Sequence, residues 1–174
     1  MTEKNTEQKE NELHQLNDRW CLWGRLPHSN APWTIDGYVK IHTFNTVEET
    51  IALSETLVMS DLIIKYCMLF LMRDGIEPLY EDPKNINGSF FSYKVSNKIV
   101  LDSWKLLTYS VVGETISKNE EFIPCVNGIT ISPKKNFCII KIWMSNDHWQ
   151  EPNIIAKNIP GINVIGSAFG RHEP

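Results

Sequence analysis

The stretch Phe137-Cys138-Ile139-Ile140-Lys141-Ile142-Trp143-Met144 separates into two unlike faces when it is read at the period of a β-strand. Cys138, Ile140, Ile142 and Met144 form one wholly apolar face, and Phe137, Ile139, Lys141 and Trp143 form the other. A strand built this way meets helices with its apolar side. Its opposite side, carrying a lysine and a tryptophan, lines a partly wet surface. The pattern predicts a sheet covered by helices on one face only.

Elements on either side fit that layout. Phe122–Ile131 reads as a strand joined to the first by Ser132-Pro133-Lys134-Lys135-Asn136, a hairpin turn with two positive charges. Leu101, Trp104, Leu107 and Val111, with Val112 and Ile116 on a neighbouring stripe, recur at helical spacing and predict a helix from about Leu101 to Ile116 lying on the sheet. Thr46 with Glu49 three residues on is a capping box, so a second helix starts there and runs to about Thr56. Further strands are expected at Arg19–Trp23, Gly37–Phe44, Tyr66–Met72 and Ser89–Val95. A short helix near Trp149–Lys157 and a strand at Ile162–Ile165 complete the expected order.

Composition sets bounds. The chain has 174 residues, enough for one domain with a core, and no internal repeat is visible. Met1 to about Leu13 is rich in Glu, Lys, Asn and Gln without an apolar segment, so residues 1–13 are expected to be a disordered tail and residues 14–174 one domain. No apolar run approaches the ~20 residues that cross a bilayer. The four cysteines, Cys21, Cys67, Cys125 and Cys138, lack metal-ligand spacing, which predicts buried, reduced thiols, no bound metal and a cytosolic protein. Asn87-Gly88-Ser89 fits a turn better than a glycosylation site. A formal charge of −4 argues against coating long nucleic acid but leaves recognition of a single nucleotide end open.

One loop carries the chemistry. In Gly75-Ile76-Glu77-Pro78-Leu79-Tyr80-Glu81-Asp82-Pro83-Lys84-Asn85, two prolines five residues apart hold the backbone out of regular structure and display a ring beside a carboxylate. A ring face attracts positive charge, and Glu81 can accept two parallel N–H bonds, so the pair suits a flat cationic ligand. The same residues also read as a solvated turn. Trp33, after Pro32 in a second loop, is either a stacking plate or a lid packed on its own domain.

The ordered series Trp20-x-x-Trp23, Trp33, Thr46-Val47-Glu48-Glu49, Asp74 to Asp82, Lys84-Asn85, Gly88, Asp102-x-Trp104, Gly113-Glu114 and Ile142-Trp143 resembles the eukaryotic translation initiation factor 4E family over about residues 14 to 166. The ten-residue step from Trp23 to Trp33, together with Ile76-Glu77-Pro78-x-x-Glu81-Asp82, is its most specific part. The resemblance implies an α+β fold, a curved antiparallel sheet with helices on the convex face and a site for the 7-methylguanosine cap of mRNA on the concave face. It implies that Trp33 and Tyr80 sandwich the methylated base, that the Tyr80 N–H meets O6, that Glu81 accepts from N1–H and the exocyclic amine, and that Trp143 touches the N7 methyl. Methylation makes the base a flat cation, adding a charge-dependent part to stacking worth ~1–3 kcal/mol per base. No cofactor is implied, and the expected location is the cytoplasm, with the nucleus as a further compartment.

The departures from the family pattern are specific. Tyr80 stands where the family usually has a second tryptophan. Phe90, Ser132 and Ile139 stand where it has basic residues that hold the cap phosphates. Lys134, Lys135, Lys141 and Arg171 are the candidate substitutes, each with the alternative of a solubilising surface charge. On the convex face the family receives a helical peptide from a scaffold factor or a repressor at positions that are here Gln15, Val47, Ile51, Lys105, Leu106, Tyr109 and Gly113. Ile51 replaces a tryptophan anchor, so weak scaffold binding or a different partner is expected. A cap-binding repressor is the alternative to an initiation role. A nucleotide-modifying enzyme using Glu81, Asp82 and His42 or His148, and an interaction domain whose rings only pack, are the other readings. The enzyme reading finds no phosphate-binding glycine loop and no paired nucleophile and base, so no catalytic residue is assigned.

Overall fold

The two faces of Phe137–Met144 become two different environments. Cys138, Ile140, Ile142 and Met144 are fully buried in the main core, whereas Trp143 belongs to a second, smaller cluster on the opposite side. The computed structural model describes residues 12–26, 30–156 and 158–173. The elements are β1 Gln15–Arg25, β2 Val39–Thr46, α1 Val47–Met59, α2 Asp61–Tyr66, β3 Met68–Arg73, β4 Ser89–Ser96, α3 Val100–Val112, β5 Val126–Pro133, β6 Phe137–Met144 and β7 Ala168–Arg171. The strands form one curved sheet in the order β2-β1-β3-β5-β6-β4-β7, with every neighbouring pair antiparallel.

The helices pack on one face. Trp104, Leu107 and Val111 of α3, Leu57 of α1 and Ile64 of α2 join Trp20, Leu22, Leu71, Phe91 and Ile129 of the strands in the main core. Each such side chain taken out of water contributes about 1.5–3 kcal/mol. The capping box forms: Thr46 Oγ1 accepts from the Glu49 N–H at 3.2 Å, and Glu49 Oε2 accepts from the Thr46 hydroxyl at 2.9 Å. The glutamate also accepts from the Asn45 N–H at 3.2 Å, one residue earlier than in the usual box. These bonds hold the Glu49 carboxyl below its ordinary range.

Several expectations are corrected. The last strand is Ala168–Arg171, pairing with β4, and Ile162–Ile165 is not a strand. Ile162 packs in the core while Ile165 is exposed. The expected helix near Trp149–Lys157 is a 3-10 turn, Pro152–Ile154, and Lys157 lies outside the described residues. The long helix stops at Val112, because Glu114 takes a left-handed φ of 57° and the chain closes with a Schellman pair, Thr115 N–H to Ser110 O at 2.8 Å and Glu114 N–H to Val111 O at 3.2 Å. Ile116 is buried all the same. The apolar run before Met72 divides into the helix α2 and a strand starting at Met68. β5 begins at Val126, after a 3-10 turn at Ile123–Cys125. Cys21 and Cys138 are buried, but Cys67 and Cys125 are only half-buried. Residues 1–11 of the expected tail lie outside the described residues, and 12–14 have no regular structure. No described helix is long and apolar enough to cross a membrane.

Candidate functional site

Two buried polar side chains shape the loop between β3 and β4. Asp82 accepts from the Glu77 N–H at 2.9 Å and the Lys84 N–H at 2.8 Å. Asn85, fully buried, donates to the Glu77 carbonyl at 3.0 Å and the Leu79 carbonyl at 2.8 Å. A bulge in β5 frees Asn127 from the ladder, and its amide donates to the Lys84 carbonyl at 2.7 Å and Asn85 Oδ1 at 2.9 Å. Buried amides paired this completely fix the loop rather than merely decorating it. The outcome is a half-buried Tyr80 on the cavity side and an exposed Glu81 beside it.

The second wall is assembled differently. Arg25, the last residue of β1, is almost fully buried, and its guanidinium donates to the carbonyls of Ala31 at 2.6 Å, Pro32 at 3.0 Å and Gly37 at 3.1 Å. Gly37 makes room for this clip: a Cβ there would lie 2.2 Å from the Arg25 guanidinium and 2.3 Å from the Pro32 carbonyl oxygen. The same guanidinium sits 4.0 Å from the centroid of Trp33 and 5.3 Å from that of Tyr38. Burial pushes the Tyr38 phenol up despite the neighbouring Arg25, so it stays protonated at neutral pH. Trp33 remains 62% exposed, so a ring held on one side by Arg25 offers the other side to solvent.

A cavity of about 510 Å³ opens between these loops over the concave face. Trp33, Tyr80, Glu81, Trp143, Lys134 and Lys141 all line it, over a floor that includes Phe70 and Thr130. Trp143 is buried and donates from Nε1 to Thr130 Oγ1 at 3.2 Å. The Lys141 ammonium donates to Tyr80 Oη at 2.9 Å and sits 3.7 Å over the Phe90 ring. Lys135 and Arg171 do not line the cavity, and Arg171 Nε donates to Asp147 Oδ2 at 2.7 Å. Glu81 is thus the one carboxylate among the lining residues, facing two ammonium groups.

The convex face presents a separate strip. Val47, Ile51 and Leu106 are 38%, 47% and 40% exposed, and Lys105 pairs with Glu55 across α1 and α3 and lies 6.0 Å from the Tyr109 ring centroid. Gln15 pairs with Thr46 where β1 meets β2 and accepts from the Asn45 amide at 3.0 Å, and Gly113 caps α3. The groups of the enzyme reading are not brought together. The Asp82 carboxylate is committed to backbone N–H groups, His42 pairs with Glu49 at 3.8 Å, and neither His42 nor His148 lines the cavity. No set of three or more metal-ligating side chains occurs among the described residues.

The sequence reading missed Arg25, Tyr38, Asn127 and His172. Asn127 lies inside an apolar strand and His172 in a stretch without a motif, so neither gave a signal. Arg25 gave a weak one, a cation two residues after Trp23 at a strand end.

A sequence model of the eukaryotic initiation factor 4E family matches residues 15–163. Eukaryotic translation initiation factor 4E of Candida albicans is 30% identical over 139 residues, 76% of this chain and 65% of that protein. The factor from Eremothecium gossypii is 31% identical over 143 residues, 79% and 66% respectively. A homolog from Acanthamoeba polyphaga mimivirus is 40% identical over 62 residues, 36% and 23%. The matched stretch spans less than two thirds of each of these proteins. Among solved structures the fold is similar to Ascaris suum eIF4E-3 in complex with the m7G cap, with a TM-score of 0.71 at 20% identity, covering 82% of this chain and 79% of that one. It is likewise similar to a schistosome eIF4E complexed with m7GpppG and 4E-BP, with a TM-score of 0.69 at 23% identity, covering 80% and 76%. With the family match running from the start of β1 to Asn163, the chain belongs to the eukaryotic initiation factor 4E family.

Proposed function

We propose that this chain, as one domain over residues 14–174, binds the 7-methylguanosine cap of mRNA and acts in translation initiation in the cytoplasm. The observation that carries the reading is the cavity lined by two independently braced rings, Trp33 and Tyr80, with the exposed Glu81 at the edge and Trp143 in the wall. The rings stack on the base, the Tyr80 N–H meets O6, and Glu81 accepts from N1–H and the exocyclic amine while balancing the charge at N7. Trp143 meets the N7 methyl. Lys134 and Lys141 take the phosphates nearest the base, and Lys135 and Arg171 are the more distant cations of the same grip. For Arg171 that role requires release from Asp147.

The test is Trp fluorescence during titration with 7-methyl-GTP, with GTP as control. Saturable quenching by the methylated nucleotide alone, lost in Trp33→Ala, Tyr80→Ala and Glu81→Gln, is expected. Equal response to both nucleotides, or none, overturns the reading.

A helical peptide of a scaffold factor or repressor docks on the convex strip of Val47, Ile51 and Leu106, with Gln15, Lys105, Tyr109 and Gly113 around it. Ile51 supplies less anchor area than a tryptophan, and the Lys105–Glu55 pair adds charge beside it. The scaffold is therefore bound weakly, or a different partner is bound, which favours a repressing or sequestering role as the second reading. Ile51→Trp is expected to tighten scaffold-peptide binding at least tenfold, about 1.4 kcal/mol. Unchanged affinity sinks that account.

A further inference from the structure

Tyr80 is not held by its loop alone. His172, just past β7, lies 4.8 Å from the Tyr80 centroid at an interplanar angle of 28°, 5.8 Å from Phe90 at 20°, and 4.7 Å from Trp143 at 60°. Tyr80 and Trp143 are also 4.7 Å apart. Three centroids at nearly equal separations fix the arrangement. Near-parallel rings need about 3.5 Å between their planes, so His172 and Trp143 on opposite faces of Tyr80 would be about twice that far apart. Both therefore pack against one face of Tyr80, Trp143 also reaching the cavity wall while His172 does not line the cavity.

His172 is anchored twice to the loop before β4. Its backbone N–H donates to the Gly88 carbonyl at 3.0 Å, and its Nδ1–H donates to the Asn85 carbonyl at 2.8 Å. A carbonyl only accepts, so Nδ1 carries a proton, and in the neutral ring Nε2 carries the lone pair. Nε2 is buried and has no hydrogen-bond partner. The titratable groups turned toward it are Tyr80 from the loop and Lys141 from β6. The neighbouring Arg171 is engaged with Asp147, and no carboxylate touches the imidazole among the described residues.

We propose that His172 is a positioning residue for Tyr80, a neutral imidazole that braces the ring from behind, so that protonating His172 weakens binding of a cationic base on the ring's opposite face. The proposal rests on the cap-binding reading above. With the base in place, an imidazolium would have Lys141 to one side and a second cation one ring away, with a new N–H donor that nothing accepts. Burial and Lys141 already hold the imidazole below its ordinary value of 6.5, although the Asn85 carbonyl favours the charged form. A bound cation lowers it further, and each further unit is tenfold in affinity once the pH lies below both values.

The experiment is the 7-methyl-GTP dissociation constant from pH 5 to 8 for the wild-type chain, His172→Phe and His172→Gln, with the melting temperature followed at each pH. The methylated base's own N1–H titration is common to all three, so the ratio of variant to wild type isolates His172. The wild-type chain should lose affinity severalfold relative to His172→Phe on acidification. His172→Phe, which keeps a ring, should bind within about threefold of wild type at pH 8, and His172→Gln, which does not, should bind roughly three- to tenfold more weakly at every pH. A ratio that stays flat with pH for His172→Phe overturns the proposal, as does a His172→Gln variant with wild-type affinity throughout. Absence of binding by the wild-type chain at pH 8 instead defeats the cap-binding reading itself.

Discussion

The two walls of the cavity present similar rings on unlike foundations. Trp33 leans on Arg25, a permanent charge buried against three backbone carbonyls, so that wall is held by one side chain clipping one loop. Tyr80 leans on His172 and Trp143 and stands on a loop braced by Asp82, Asn85 and Asn127. The first wall is local. The second joins β4, β5, β6 and β7 through buried amides and a group that titrates. A stacking plate needs only a fixed plane, and the comparison shows two ways of holding one, a single cation and a network, with different consequences when a part is removed.

The largest effect is expected at Asn85. Asn85→Ala leaves the Glu77 and Leu79 carbonyls without their donor and deprives Asn127 of an acceptor, in a site fully closed to water. Unfolding in urea should show a loss of about 3 kcal/mol, and cap-analogue binding should disappear with the loop. A loss under about 1 kcal/mol would mean that the loop is held by its prolines and Asp82 rather than by the amide network. Arg25→Met should affect binding more than stability. It removes a buried charge along with its hydrogen bonds, two changes that offset each other in the folding balance but leave residues 31–37 unclipped. Cap-analogue affinity should fall roughly tenfold, about 1.4 kcal/mol, with a smaller change in urea midpoint. The reverse order would show that Arg25 is part of the core and that Trp33 positions itself.

How much of this was legible in the sequence follows from the same contrast. The faces of Phe137–Met144, the stripe of α3 and the capping box at Thr46 depend on local period and local partners, and the fold built from them was readable. Trp33, Tyr80 and Glu81 were readable as candidates although the same residues also read as a lid and a solvated turn, and the ligand role of Trp143 came through the family resemblance. Their supports were not. Asn127 acts only because a bulge turns it out of an apolar strand, and His172 acts only because β7 adds to β4 at the register Phe90↔Gly170. The missing strand and the missing histidine are one error: Ile162–Ile165 has the better β composition, but Ala168–Arg171 has the free edge of β4. Likewise, Glu114 ends α3 by adopting a conformation that its side chain does not favour, with Gly113 sitting one position too early to announce it.

A further difference between the walls is their response to acid in the absence of ligand. His172 is held below the ordinary imidazole value in the folded chain, so the folded state binds fewer protons than the unfolded one as pH falls through 6.5. Its contribution to stability is complete above pH 6.5 and is lost progressively below it. Urea midpoints measured from pH 7.5 to 5 should therefore fall more steeply for the wild-type chain than for His172→Phe, while Arg25→Met should keep the wild-type slope. Parallel curves for wild type and His172→Phe would remove the titrating group from the Tyr80 wall.

The smallest effect is expected where the second wall meets a cation of its own. Lys141 donates to Tyr80 Oη while resting on Phe90, so Tyr80→Phe removes one anchor of the ammonium and leaves the ring's support from His172 and Trp143 in place. An exchange of this bond for water, the ammonium being partly hydrated already, is worth about 0.5–1 kcal/mol, below the range of a buried bond to a charged group. The 7-methyl-GTP dissociation constant should accordingly shift by no more than about fivefold, with quenching of Trp fluorescence retained. Its dependence on salt should steepen, because an ammonium released from the hydroxyl meets phosphate through solvent, where screening is stronger. A loss well beyond tenfold would mean that the hydroxyl, and not the stacked ring behind it, holds Tyr80 in its plane. In that case the second wall, like the first, would depend on a single cation, Lys141, for its orientation.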